Sequence, residues 1–203
     1  MKIAVIGAGN IGGTLGKAWA RMGHQVLIGV RDAGSSKVQA LVRSLPANAS
    51  IDTIDNACAF GEVVLLAVPG SAVEDVIAAQ AKKLVGKIVI DATNRVGAPE
   101  MNSIGILAAK APSARAFRAF NTAGWEVFAN PRFGDTQADL FYCGPEGSTQ
   151  RIVEGLIADV GLRPVRVGTL EQVKLVDAIG ALWLNQAFAQ QMGRGFTFKL
   201  LSR

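Results

Sequence analysis

The stretch "GAGNIG", Gly7 to Gly12, has the spacing G-x-G-x-x-G. Alone, that pattern says little. Here it follows the β-branched run "KIAVI" at once and opens a segment that places Leu15, Ala18 and Trp19 at helical spacing. In a strand–turn–helix setting such a turn suits a dinucleotide pyrophosphate. Gly7 permits the tight turn, Gly9 lets backbone approach the phosphates, and Gly12 lets helix and strand pack closely. The helix N-terminus adds unpaired N–H groups and a partial positive charge.

A second cluster, Val30, Arg31, Asp32, Ser35, Ser36 and Lys37, ends the next apolar run, "QVLIGV". An NAD site puts Asp or Glu about 20 residues beyond the glycine turn, where it holds the adenosine ribose hydroxyls. Val30 stands at that place and cannot accept a hydrogen bond through its side chain. Arg31 follows, and its planar guanidinium suits a 2′-phosphate. Ser35, Ser36 and Lys37 offer hydroxyls and a second charge, so the expected cofactor is NADP. Asp32 is the rival: a strand one or two residues longer would bring it to the ribose. A solvated Arg31–Asp32 turn pair is the plain structural alternative.

In open parallel sheets the ligand lies across the carboxyl ends of the strands. Three such ends are "LLAVPGSA", "VIDATNRV" and "RAFNTAG". Ala67, Val68 and Pro69 offer an apolar shelf for a nicotinamide. Asn94 and Asn121 each follow a strand and would direct amides at a cofactor or substrate carbonyl, although Asn is also a common turn residue. These two are the candidate catalytic residues. His24, the only histidine, sits between a helix and a strand and reads as a turn residue, so no Ser–His–Asp set can be assembled. Cys58 and Cys143 have neither metal-ligand nor redox-pair spacing, and no metal site is expected. Hydride transfer between two stacked planar rings fits this inventory, because the cofactor carries the chemistry and the protein positions it.

The elements needed to hold these groups alternate along the chain. Strands are expected at "KIAVIGA", "QVLIGV", "EVVLLAVP", "GKIVIDAT", "SARAFRAFN", "ADLFYCG" and "LRPVRVG". Arg115 and Arg118 weaken the fifth. Helices are expected at residues 11–22, "SKVQALVRSL", "SAVEDVIAAQAKKL", "STQRIVEGLIADVG" (capped by Ser148 or Thr149) and 170–192. Strands separated by helices predict an α/β doubly wound parallel sheet of the Rossmann type. The irregular stretch "NTAGWEVFANPRFGDTQ" marks the expected division: residues 1–123 as the dinucleotide-binding domain, and 124–203 as a small α/β extension continuing the sheet.

Composition narrows the function classes. Of the 203 residues, 50% are hydrophobic and 18% charged, which argues against disordered and fibrous proteins. The net charge of +5 is spread along the chain, without the basic stripe or module that nucleic-acid binding requires. The opening apolar run is too short for a signal peptide, and no stretch reads as a transmembrane helix. The expectation is a cytoplasmic protein with a small-molecule hydride acceptor and no nucleic-acid or membrane partner. Val173, Val176, Ile179, Leu182, Trp183 and Phe188 leave apolar residues on more than one face of the last helix. Packing wholly within one chain is the plain alternative; a homodimer face is the expectation.

The motifs "IAVIGAGNIGGTLG", "VLIGVRD", "VVLLAVP", "VIDATN", "RAFNT", "GLRPVRVGTL" and "GFTFKLL" resemble the NADPH-dependent deazaflavin (coenzyme F-420) reductase family. They are also similar to the reductase domains of eukaryotic metalloreductases. The resemblance implies an NADP-binding domain and hydride exchange with a deazaflavin or a flavin (FMN or FAD). It would place Ala8, Gly9, Asn10 and Ile11 along the pyrophosphate, Val30 and Arg31 at the 2′-phosphate, and Val68 and Pro69 beside the nicotinamide. Asn94, Arg95, Asn121 and Ala123 would approach the second ring. Val30 departs from the usual Ser. Asn121 stands where the archaeal deazaflavin enzymes carry His, and matches the metalloreductase relatives. Two rival functions fit the same motifs: reduction of a small imine or ketone, with Tyr142 as a proton donor, and a non-catalytic NADP sensor.

Overall fold

The alternating pattern resolves, in a computed structural model of residues 1–203, into ten strands and eight α-helices. In chain order these are β1 (Lys2–Ile6), α1 (Asn10–Arg21), β2 (Gln25–Val30), α2 (Ser36–Val42), β3 (Ala49–Thr53) and α3 (Ile54–Phe60). Next come β4 (Val63–Leu66), α4 (Val73–Leu84), β5 (Ile88–Asp91), α5 (Ile104–Lys110), β6 (Arg115–Arg118) and α6 (Trp125–Ala129). The chain continues with β7 (Arg132–Phe133), β8 (Thr136–Gln137), β9 (Asp139–Cys143), α7 (Ser148–Asp159), β10 (Arg163–Gly168) and α8 (Val173–Leu184). No helix is long and apolar enough to cross a membrane.

Eight strands form one sheet in the order β10-β9-β6-β5-β4-β1-β2-β3, while β7 and β8 make a separate hairpin. Strands β1 to β6 are mutually parallel, so the order reverses between β1 and β4, the switch point at which open α/β sheets bind ligands. β9 and β10 are parallel to each other but run against β6, which β9 meets at the Arg118–Cys143 pair. The expected parallel sheet therefore covers six strands, and the last two reverse it. The cause is the connection: residues 119–138 hold only the five-residue α6 and a hairpin, with no long crossover to return the chain to the starting edge.

Successive strand residues point to opposite faces and seed two cores. Ile3, Val5, Leu65, Ile90 and Phe117 pack on one side with Leu15 and Trp19 of α1 and Val153, Leu156 and Ile157 of α7. Ala4, Ile6, Val64, Leu66 and Val89 pack on the other with Ala57 and Cys58 of α3 and Val73 and Ile77 of α4. Each fully buried Val, Leu or Ile contributes about 1.5–3 kcal/mol. The Trp19 indole N–H donates to the Leu156 carbonyl at 2.9 Å, joining α1 to α7.

Two local expectations change. α7 is entered through Gly147 at φ 93° with no side-chain cap, so Ser148 is already its first helical residue and neither it nor Thr149 caps the helix. The long apolar helix is three pieces: a 3-10 turn at Leu170–Gln172 capped by Thr169, then α8, then a wider π turn at Asn185–Ala189. The following tail folds back on the molecule. Phe196 stacks on Trp183 with ring centres 5.5 Å apart, and Lys199 Nζ and the Leu200 N–H each donate to the buried Asp139 carboxylate at 2.8 Å.

Candidate functional site

At the end of β1 the backbone turns with Gly7 at φ 113°, and a Cβ there would lie 2.5 Å from the Ala67 carbonyl oxygen. A Cβ on Gly12 would lie 2.0 Å from the Gly7 carbonyl oxygen, so α1 can start this close to β1 only with glycine at that position. Gly9 is different: a Cβ there would meet nothing within 4 Å. Its outer face is open to a ligand. The first turn of α1 carries no acidic residue and no side-chain cap, which leaves its N–H groups to attract an anion.

A cavity of about 310 Å³ brings together three of the expected stretches: Gly7, Ala8 and Gly9; Val30, Arg31, Ser35 and Lys37; and Ala67, Val68 and Pro69. Asn10, Ile11 and Gly12 stand in the first turn of α1, next to this lining. Ser36 begins α2, is exposed and lies outside the lining, so Ser35 takes its place. β2 stops at Val30, which makes Arg31 the first residue past the strand. Asp32 also lines the cavity, with its Oδ1 accepting the Gly34 N–H of its own loop at 2.8 Å. Arg31 and Lys37 are exposed and enter no ion pair. The Arg31–Asp32 turn pair does not form.

Next to Pro69 a second cavity, about 400 Å³, is lined by Gly70, Ser71, Asn94, Arg95, Val96 and Ala98. Behind it lies a charge network that the sequence reading missed. Arg118, at the end of β6, is fully buried. Its Nε donates to Asp177 Oδ1 at 2.8 Å, Nη1 to the Asp91 carbonyl at 3.2 Å, and Nη2 to Asn94 Oδ1 at 2.9 Å. Nη1 also donates to the Thr93 carbonyl. Asp91 accepts the Thr93 N–H at 3.0 Å and the Ser103 N–H at 2.6 Å, pinning the entry to α5. Asp177 accepts the Asn102 amide at 2.7 Å. A signal was present: Asp91 and Arg118 are charged residues in adjacent apolar strands, and they are register partners.

Asn121 differs from expectation. It follows Phe120, which holds φ 61° between the rings of Trp19 and Phe128, each 5.7 Å from its own. That conformation is costly for a bulky residue and is held by surrounding packing. It turns Asn121 under α8, where a Cβ on Gly180 would sit 2.9 Å from the Asn121 carbonyl oxygen. Asn121 is 3% exposed, its Nδ2 is 3.5 Å from Asp177 Oδ1, and its Oδ1 is buried without a partner. Ala123 is buried as well. Neither residue lines the two cavities, because α8 covers this loop. Tyr142 is fully buried, donates its hydroxyl to Glu154, and is held above the usual phenol range by burial and by that carboxylate. His24 pairs with Asp159 at 2.8 Å, at the opposite ends of the strands.

Residues 2–95 match the protein family described as NADP oxidoreductase coenzyme F420-dependent. The matching segment contains the glycine turn, the Arg31 loop, the Val68–Pro69 shelf and Asn94, and ends before Arg118 and Asn121. Solved structures extend the likeness along the chain. A proposed F420-dependent NADP reductase from Arthrobacter sp. FB24 is similar over 100% of both chains, with 24% identity and a TM-score of 0.84. A hypothetical protein, SMa0349 from Sinorhizobium meliloti, is 29% identical over 84% of this chain and 86% of that one, with a TM-score of 0.71. A reductive aminase from Aspergillus terreus, in complex with NADPH4, cyclohexanone and allyl amine, has a TM-score of 0.63 and 24% identity. It covers 93% of this chain, which spans 64% of that longer one.

Proposed function

We propose that the chain is an NADPH-dependent oxidoreductase that passes hydride between NADP(H) and a deazaflavin or flavin ring. The observation that carries this reading is the ribose end of the 310 Å³ cavity, where Arg31 and Lys37 stand unpaired and Asp32 is turned into its own loop. Two free cations suit a 2′-phosphate, and Asp32, the one acid in the lining, has a carboxylate oxygen committed to its own loop. The open face of Gly9 and the first turn of α1 would take the pyrophosphate. Bound NADPH would supply the hydride; the protein's part is orientation. Val68 and Pro69 would back the nicotinamide with an apolar surface, and the adjoining cavity beside Asn94 would receive the second ring. Holding both rings at reaction distance is the proximity contribution to rate.

Reduction of a small imine is the second reading, drawn from the similarity to the Aspergillus enzyme. An acceptor that needs no proton from the protein fits better, since Tyr142 is bound to Glu154 and His24 to Asp159. Anaerobic NADPH oxidation with deazaflavin and FMN offered in parallel tests the proposal, with NADH as control. Turnover of either ring with NADPH, and little with NADH, is expected. Turnover only with imines would replace this reading by the second, and tight NADP binding without turnover would make the chain a sensor. Of the residues expected at a homodimer face, Val176 and Trp183 are buried within the chain, while Leu182 and Phe188 remain exposed; these two, with Leu175 and Met192, are the face we propose for it. A monomeric mass in light scattering would remove it.

A further inference from the structure

We propose that Arg118 is a positioning residue: it fixes the polarity of Asn94, so that Asn94 presents a hydrogen-bond donor to a carbonyl oxygen of the bound ring. This rests on the function proposed above. A guanidinium has donors only. Held 2.9 Å from the Asn94 side chain, it accepts one orientation of the amide, with Oδ1 inward and Nδ2 outward. The guanidinium is held in place, because Asp177 takes its Nε N–H, the Asp91 and Thr93 carbonyls take Nη1, and its side chain has no solvent exposure. Asn94 Nδ2 has no partner in the protein, while the residue itself lines the 400 Å³ cavity beside Pro69. The ligand atom that meets it must accept. Carbonyl oxygens of this kind occur on the nicotinamide carboxamide and on the pyrimidinedione edge of a deazaflavin or flavin.

Asn94→Asp separates the positioning role from a structural one. Aspartate keeps an acceptor for Arg118 and loses the outward donor. Affinities of the full-length chain for NADP+ and for adenosine 2′,5′-bisphosphate, which has no nicotinamide, are measured by calorimetry, beside the KM for deazaflavin. The variant should melt at or above the wild-type temperature and bind the bisphosphate as wild type does. If the carbonyl belongs to the nicotinamide, NADP+ affinity falls tenfold or more. If it belongs to the acceptor, NADP+ affinity is unchanged and the deazaflavin KM rises by that factor. Arg118→Lys should show the same split to a smaller degree, and the double variant should lose no more than Asn94→Asp alone. Wild-type NADP+ affinity together with wild-type KM in Asn94→Asp overturns the proposal, as do losses that add in the double variant. A wild-type chain that fails to bind the bisphosphate overturns the nucleotide reading itself, and this proposal with it.

Discussion

Arg118 Nε and Asp177 Oδ1 meet at 2.8 Å in the interior and join the end of β6 to the middle of α8. The two residues are 59 positions apart, and the arginine has no solvent contact. Removing one partner of such a pair leaves the other charge buried. Arg118→Met should therefore cost about 3–5 kcal/mol in urea unfolding. Replacing both, as Arg118→Met with Asp177→Leu, should cost less than the sum of the single changes. Strict additivity would show that the pair contributes nothing as a pair.

Arg31 should discriminate between the two nicotinamide cofactors. Charge-assisted hydrogen bonds are worth about 1.5–3 kcal/mol, so Arg31→Ala should weaken NADPH about 10- to 100-fold and leave NADH nearly unchanged. Fluorescence titration with both cofactors measures this directly. Equal losses for both would assign Arg31 to the fold and not to the phosphate.

Asp139 should make the attachment of the C-terminal tail depend on pH. Burial alone would raise its carboxyl, but hydrogen bonds from Arg163, Lys199 and the Leu200 N–H bring it below the usual carboxylate range. Stability from a depressed acid is complete above the unfolded value, about 3.9, and is lost as the pH falls through the folded one. Proteolytic cleavage within residues 190–203 should stay slow down to about pH 4 and accelerate below it. Asp139→Asn should make cleavage fast at neutral pH, and slow cleavage of that variant would refute the role of the carboxylate.

The two thiols should be inert in the folded chain. Burial pushes both Cys58 and Cys143 up to about 11, with nearby Lys87 opposing the shift at Cys58 and Asp177 adding to it at Cys143. A thiol reagent at pH 8 should titrate neither in buffer and both in denaturant. Fast labelling of either without denaturant would contradict this burial.

The features legible in the sequence were those written in adjacent residues. Gly7, Gly9 and Gly12 lie within one turn, and Arg31 lies one residue past a strand, so spacing alone located most of the nucleotide cavity. β3 was missed because its alternation rests on Ala49 and Ile51 alone, two partly covered residues of a short edge strand. α3 was missed although Thr53 caps it through the Asn56 N–H at 3.1 Å, a short-range signal that a seven-residue helix makes easy to overlook. The Arg118 network was overlooked for a different reason. Its partners come from β5, its following loop and α8, and a charge inside a strand reads as a defect until its counter-charges are placed. Asn121 was assigned to the open site by its position after a strand; the helix that covers it begins some fifty residues later.

The hydrogen bond from Trp19 to Leu156 spans 137 residues of chain. On a ribosome adding roughly 5–20 residues per second, the indole would wait about 7–27 seconds for its carbonyl to be made. During that interval the face of α1 that carries Leu15 and Trp19 lacks Val153, Leu156 and Ile157, its partners in the finished core. The glycine turn is therefore among the first parts of the site to be synthesised, yet the helix it opens, packed on β2 and α6, is completed only when α7 is made. A nascent chain of this protein leaves part of that face bare until α7 emerges, and its dependence on chaperones should rise with any pause placed between β6 and α7.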